Sequence, residues 1–216
     1  MQNAISNPAS GSIGIVFRKL VLQRWSAIAL LLMFAPLLAA IGACIALIDG
    51  APALYRHRRV GFGGREFYCF KFRTMAVNGD ALLREHLQID RAAAEEWRET
   101  RKLRNDPRVS RIGRFLRRTS LDEIPQLINI ARGEMSFVGP RPIVQAEIVK
   151  YGEHFPAYCS VLPGLTGLWQ VSGRSDTSYE RRVALDVQYV RSRSMLLDWK
   201  ILVRTVPAVM CRRGSV

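Results

Sequence analysis

Between Trp25 and Ile48 the chain carries no charge, and this stretch, WSAIALLLMFAPLLAAIGACIALI, narrows the available folds more than any other. As a helix it would reach roughly 36 Å, enough for a bilayer core of about 30 Å. It is too long and too deep in the chain for a cleaved signal sequence. Pro36 stands near its middle, where a proline removes a backbone hydrogen bond and bends a helix. Basic residues flank both ends: Arg18, Lys19 and Arg24 before it, Arg56, Arg58 and Arg59 after it. Positive charge beside a membrane segment favours the cytoplasmic side, so a straight span would strand one cluster. A helix that enters, bends at Pro36 and returns keeps both clusters inside. A tilted single span and a buried core helix are the alternatives. The expected division is a flexible tail over residues 1–16, a re-entrant membrane helix over 17–50, and a cytoplasmic domain over 51–216.

With 32 Lys and Arg against 18 Asp and Glu, the net charge is +14, which implies an anionic partner: nucleic acid, phosphorylated substrate or acidic lipid. The four cysteines form no CxxC pair and suggest neither a disulfide framework nor a zinc site, in keeping with a reducing compartment. His57, His86 and His154 lack metal-ligand spacing, so no histidine-based metal site is expected.

After Asp49-Gly50 the pattern turns to short strands. Val60-Gly61-Phe62-Gly63-Gly64 reads as a hairpin turn, with a phosphate-cradling loop as the alternative. In the strand that follows, alternation puts Phe70 and Phe72 on one face and Lys71 and Arg73 on the other. That polar face is either a solvated surface or a cationic pair for a diphosphate. Asp80 caps one or two amphipathic helices carrying Leu83, Leu87, Ala94 and Trp97. Within Arg111–Arg118, Ile112, Phe115 and Leu116 share one helical face and Arg111, Arg114 and Arg118 another, which suits an anionic membrane surface, though a nucleic-acid-binding helix has the same look. Two proline-flanked or glycine-dense loops come next, Gly133–Pro142 and Pro163–Arg174, and Pro140 and Pro142 stiffen the backbone that aims Arg141. Helices are expected over 178–192, with Val183, Val187 and Val190 on one face, and over 195–210, the latter interfacial. The fold class is α+β: a small, mostly helical domain with a short β-hairpin, joined to the N-terminal re-entrant helix and to interfacial amphipathic helices.

Thr119-Ser120-Leu121-Asp122-Glu123-Ile124-Pro125-Gln126-Leu127 places two adjacent carboxylates after a run of arginines. Ser120 to Glu123 fits a capping box, and acids suit a helix N-terminus. Asp122 as the cap would put Pro125 in the first turn, where proline is tolerated. The pair is also suited to phosphate chemistry, and spacing alone leaves capping and catalysis both open.

Taken in order, the proline-centred apolar segment, Lys71-Phe72-Arg73-Thr74-Met75, Thr119–Leu127, Gly133–Pro142, Pro163–Arg174 and Asp186-Val187-Gln188-Tyr189-Val190 resemble the bacterial sugar transferases, the monotopic polyprenyl-phosphate phosphoglycosyl transferases, over roughly residues 18–214. The ending is most similar to exopolysaccharide-initiating galactose-phosphate transferases. Ala35-Pro36 stands where many members have Ser-Pro, and Gln23 where an acid is common. The resemblance implies transfer of sugar 1-phosphate from a UDP-sugar, galactose or glucose, to undecaprenyl phosphate, with UMP released. It implies Asp122 as the nucleophile of a phospho-aspartyl intermediate, with Glu123 as metal or orienting partner. A carboxylate nucleophile divides the transfer into two steps, and cations must neutralise the phosphates that meet. Lys71, Arg73, Arg117 and Arg141 are the expected cations, with Arg174 as a further candidate. Mg2+ on Asp122 and Glu123 is the expected cofactor, being a hard ion that takes carboxylate and phosphate oxygens. The expected location is the bacterial inner membrane with the catalytic domain on the cytoplasmic face, and no nucleic acid partner is expected. Self-association and contact with downstream glycosyltransferases stay open, and the alternative function is a membrane-tethered basic nucleic-acid-binding or scaffold protein without catalysis.

Overall fold

A computed structural model describes residues 8–100, 103–173 and 177–210. Helix α1 covers Pro8–Ile48 and passes through Pro36 without interruption. Of the expected tail, residues 8–16 are therefore helical, and residues 1–7 lie outside the described part. The physical reason is that Pro8 is compatible with a first helical turn, and Ile13 to Phe17 already extend the apolar pattern. Pro36 has no N–H to give the Leu32 carbonyl, yet the helix continues on both sides of it.

One stripe of α1 packs against the rest of the protein. Ala27, Leu30 and Leu31 meet Leu127, Ile130 and Met135, while Leu38, Ile41 and Ile45 meet Phe72 and Leu116. These positions recur at helical spacing across Pro36. Polar ties hold both ends of the stripe. At the first end, Lys19 pairs with Asp198 at 2.5 Å, Gln23 accepts from the Ser136 hydroxyl at 2.8 Å, and Arg24 donates to the Ala131 carbonyl at 3.0 Å. At the other, Arg73 donates to the Asp49 and Gly50 carbonyls. The opposite stripe leaves Leu22, Trp25, Leu32, Met33 and Leu47 exposed.

Strands β1 (Leu54–Val60) and β2 (Glu66–Phe72) form the expected antiparallel hairpin. Phe70 and Phe72 are buried on one face. Tyr55, His57 and Arg59, paired with Lys71, Cys69 and Phe67, share the other. Helices α2 (Gly79–Ile89) and α3 (Arg91–Thr100) form a side layer around Leu83, Ala93 and Leu103. Asn78 rather than Asp80 occupies the N-cap of α2.

Helix α4 (Arg111–Thr119) begins at Ser110, whose hydroxyl accepts from the Gly113 N–H at 2.8 Å. Gly113 lies against the backbone of Thr74 so closely that a Cβ would come within 2.0 Å of its carbonyl oxygen. Ile112 and Leu116 turn inward onto Ile45 and Phe72, whereas Phe115 stays 59% exposed beside the arginines. A 3-10 turn over Leu121–Gln126 then leads directly into α5 (Leu127–Arg132).

Strand β3 (Ser136–Val138) pairs in parallel with β4 (Gly164–Thr166), joining the two glycine-dense loops. A Cβ on Gly164 would sit 2.1 Å from the Gly139 nitrogen, so only glycine permits this approach. Between them lie the short helices α6 (Ile148–Tyr151) and α7 (Phe155–Cys159); α8 (Tyr179–Ser192) and α9 (Met195–Met210) follow. Val60, Ile143, Tyr151, Tyr158, Val183 and Val187 form a core under β1. On α9, Met195, Leu196, Trp199, Val203 and Val206 remain exposed. The whole is a mostly helical α+β protein.

Candidate active site

Ser120 takes φ 55° and ψ 19°, a left-handed conformation, and ends α4. Its side chain makes no capping bond. The capping box expected over Ser120–Glu123 is thus not formed, because Ser120 is spent as the C-cap of the preceding helix. The abrupt reversal turns Asp122 and Glu123 into the first turn of the 3-10 segment, so the acids do stand at a helical N-terminus.

Asn129 fixes that turn against the hairpin. It is fully buried. Its side-chain oxygen accepts from the Phe70 N–H at 3.0 Å. Its amide donates to the Tyr68 carbonyl at 2.7 Å and to Glu134 at 2.6 Å. One side chain thereby substitutes for a neighbouring strand along the edge of β2. Lys71, next on the strand, then reaches Glu123 at 2.5 Å.

The two carboxyls are driven in opposite directions. Burial pushes Asp122 up to about 6, the neighbouring Glu123 charge adds to the rise, and Lys71 and Arg117 offset part of it. Burial also opposes ionisation of Glu123, but the Lys71 charge and hydrogen bond, helped by Arg141 and Arg59, outweigh it and hold Glu123 below its ordinary value. Glu123 is thus the carboxylate paired with a cation, and Asp122 has no ion pair among the described residues.

The acids border a cleft of about 740 Å3 with Lys71, Arg73, Arg117 and Arg141, within the roughly 300–1,000 Å3 common for small-molecule sites. Arg117 donates to the Thr74 hydroxyl at 2.9 Å. Arg141, in the loop stiffened by its two prolines, lies over the Trp169 ring at 5.9 Å. Arg73 lines the cleft, but its guanidinium donates to the Asp49 and Gly50 carbonyls just past α1; it joins the end of α1 to the cleft. Arg174 lies outside the described residues.

Sequence reasoning passed over His57, Arg59, Asn129 and Trp169. Arg59 is buried, donates to the Pro142 carbonyl at 3.0 Å and faces Glu147 at 3.8 Å. Two-residue alternation along β1 places His57 and Arg59 on the face of Lys71, a signal available from the sequence. Nothing local marks Asn129.

Among the described residues no three His, Cys, Asp or Glu side chains converge as a metal site. A magnesium ion commonly takes one or two carboxylates and completes its shell with substrate phosphates and water. Asp122 and Glu123 suit that arrangement, since Lys71 engages only one oxygen of Glu123.

Residues 15–212 match the family model described as bacterial sugar transferase. The chain is 53% identical over 185 residues to the exopolysaccharide production protein ExoY of Rhizobium meliloti, covering 86% of this chain and 82% of that protein. It is 48% identical over 167 residues to the undecaprenyl-phosphate galactose phosphotransferase of Salmonella typhimurium, covering 77% of this chain and 35% of that protein. A UDP-glucose:undecaprenyl-phosphate glucose-1-phosphate transferase of Caulobacter vibrioides is 40% identical over 206 residues, with 92% of this chain and 72% of that protein covered.

Proposed function

Because the chain belongs to the bacterial sugar transferase family, we propose that it is the phosphoglycosyl transferase that moves sugar 1-phosphate from UDP-galactose or UDP-glucose to undecaprenyl phosphate, opening exopolysaccharide synthesis. The observation that carries this reading is the division of labour in the carboxylate pair: Glu123 is bound by Lys71 while Asp122 faces the cationic cleft.

A carboxylate oxygen of Asp122 attacks the sugar-bearing phosphorus of the donor. The bond from that phosphorus to the bridging oxygen breaks, and UMP leaves with the electron pair. The phospho-aspartyl group is then attacked by the phosphate oxygen of undecaprenyl phosphate, which forms the diphosphate and returns Asp122 as carboxylate. Lys71 orients Glu123, and Arg117 and Arg141 neutralise the charge spreading over the transferring oxygens. Mg2+, held by Asp122, Glu123 and the donor phosphates, would supply further charge neutralisation.

The same reading puts the catalytic domain on the cytoplasmic face of the inner membrane. Its support is that one domain holds the chain from Lys19 through α1 to Gly50, on both sides of Pro36. Both basic flanks then share one side of the bilayer. Cysteine labelling of an N-terminal site and a domain site in sealed vesicles should report the same face; opposite faces would discard this topology. For the reaction, UMP release from a panel of UDP-sugars with undecaprenyl phosphate and Mg2+ is the test. Full release by Asp122→Asn would remove that residue from the nucleophile role.

A further inference from the structure

His57 is a half-buried polar side chain on the β1 wall of the cleft, and the transfer steps give it no task. It shares the hairpin face of Lys71 and borders the same cleft as Asp122, Glu123 and Arg141. Arg59 bonds to its Nδ1 at 2.9 Å. A guanidinium only donates hydrogen bonds, so Nδ1 must accept and the ring hydrogen must lie on Nε2. Arg59 is itself buried and tied to Pro142 and Glu147, which makes this tautomer a fixed feature of the wall. Among the described residues Nε2 has no hydrogen-bond partner. The ring also stays neutral. Burial lowers its pKa to about 4, and Arg59, Lys71 and Arg141 lower it in the same direction against Glu147 alone.

Resting on the transferase reading above, we propose that His57 presents Nε2–H to a hydroxyl of the donor's sugar ring and so helps select the sugar. Phosphate recognition draws on charged donors, and Lys71, Arg117 and Arg141 already provide them around Asp122. With three cations already in place, one further neutral donor adds little for the phosphates. It suits a neutral oxygen, and a site built to bond a hydroxyl discriminates against analogues that lack it.

The test uses the full chain in nanodiscs, UMP release as the assay, and His57→Ala, His57→Phe and His57→Gln. Substrates are the UDP-sugar used best and its four single-deoxy derivatives, with UDP as a sugar-free competitor. Loss of one neutral hydrogen bond predicts a KM about tenfold higher for the Ala and Phe variants, with kcat little changed. Gln keeps an N–H donor and should stay within about threefold of the native protein. One deoxy derivative should show no difference between native protein and His57→Ala, and inhibition by UDP should be equal in all variants. A loss uniform across all the deoxy derivatives, a weakened UDP, or a KM in the variants equal to the native value would each overturn the proposal. If the native protein turns over no UDP-sugar, the transferase reading falls and this inference with it; native turnover with unaltered variants sinks this inference alone.

Discussion

Replacing Asp122 with asparagine should abolish sugar-phosphate transfer and, at neutral pH, make the protein more stable. The carboxyl rises from an ordinary 3.8 to about 6 in the folded chain. At about 1.4 kcal/mol per pKa unit the folded state carries a penalty of about 3 kcal/mol for keeping this group ionised. That figure already contains the attraction of Lys71 and Arg117, and partial solvent access lowers it to about 2 kcal/mol. Folded Asp122 binds a proton more readily than unfolded Asp122. Its penalty is therefore absent below about pH 4, grows as pH rises toward 6, and is complete above 6. Asparagine keeps the shape and never ionises. The variant should melt roughly 4–8 °C above the native protein at pH 8, with the gap closing by pH 4, in denaturation of the purified protein in detergent. With Asp122 as the proposed nucleophile, native kcat/KM should fall about tenfold per pH unit below 6 as its carboxylate takes up a proton. An asparagine variant that melts lower at pH 8, or a gap independent of pH, would refute the strained-nucleophile argument.

Lys71→Met leaves Glu123 unpaired and should lower stability by about 1–3 kcal/mol. Because Lys71 holds Glu123 below its ordinary value, the deficit should be full above about pH 4.5 and fade in more acid solution, as denaturation against pH would show. On the proposed transferase reading, in which Lys71 also faces the phosphates, UMP release should drop at least about 100-fold. Gly113→Ala drives a Cβ into the Thr74 carbonyl; a loss of about 3 kcal/mol or more is expected, read as rapid proteolysis of the domain, and native-like protease resistance would show that α4 can shift. Asn129→Leu strips the Phe70 N–H and Tyr68 carbonyl of their buried partner and should cost about 2–5 kcal/mol, checked by chemical denaturation, while Asn129→Ala with equal loss would assign the effect to those bonds rather than to leucine's bulk.

Several elements could be read locally because local chemistry determines them. The charge-free run, the hairpin turn at Gly61–Gly64 and the inward Phe70 and Phe72 follow from hydropathy and two-residue alternation. Lys71, Arg117, Arg141, Asp122 and Glu123 were legible as a charged set, and all of them border one cleft. Ser120 to Glu123 fits a capping box by spacing, but spacing carries no backbone handedness, and the left-handed Ser120 is imposed by α4 ending and the chain reversing there. Arg73 carries a cation's signature, but the carbonyls it serves are exposed only where α1 ends beside β2. Phe115 keeps the periodicity of a core residue and remains outside, since the apolar cluster beneath α4 is met by Ile112 and Leu116.

By itself the sequence determined that this chain has a lipid-suited helix, a basic surface for anionic partners, and a carboxylate pair among cations, all properties of residue type and near-neighbour spacing. Tertiary structure decided which carboxylate is paired with a cation, since that depends on Lys71 arriving from a strand 52 residues away. It also decided that one domain grips α1 on both sides of Pro36, and that Arg59 sets the tautomer of His57. These are contacts between segments distant in sequence, and their energies depend on burial and orientation that no local pattern encodes.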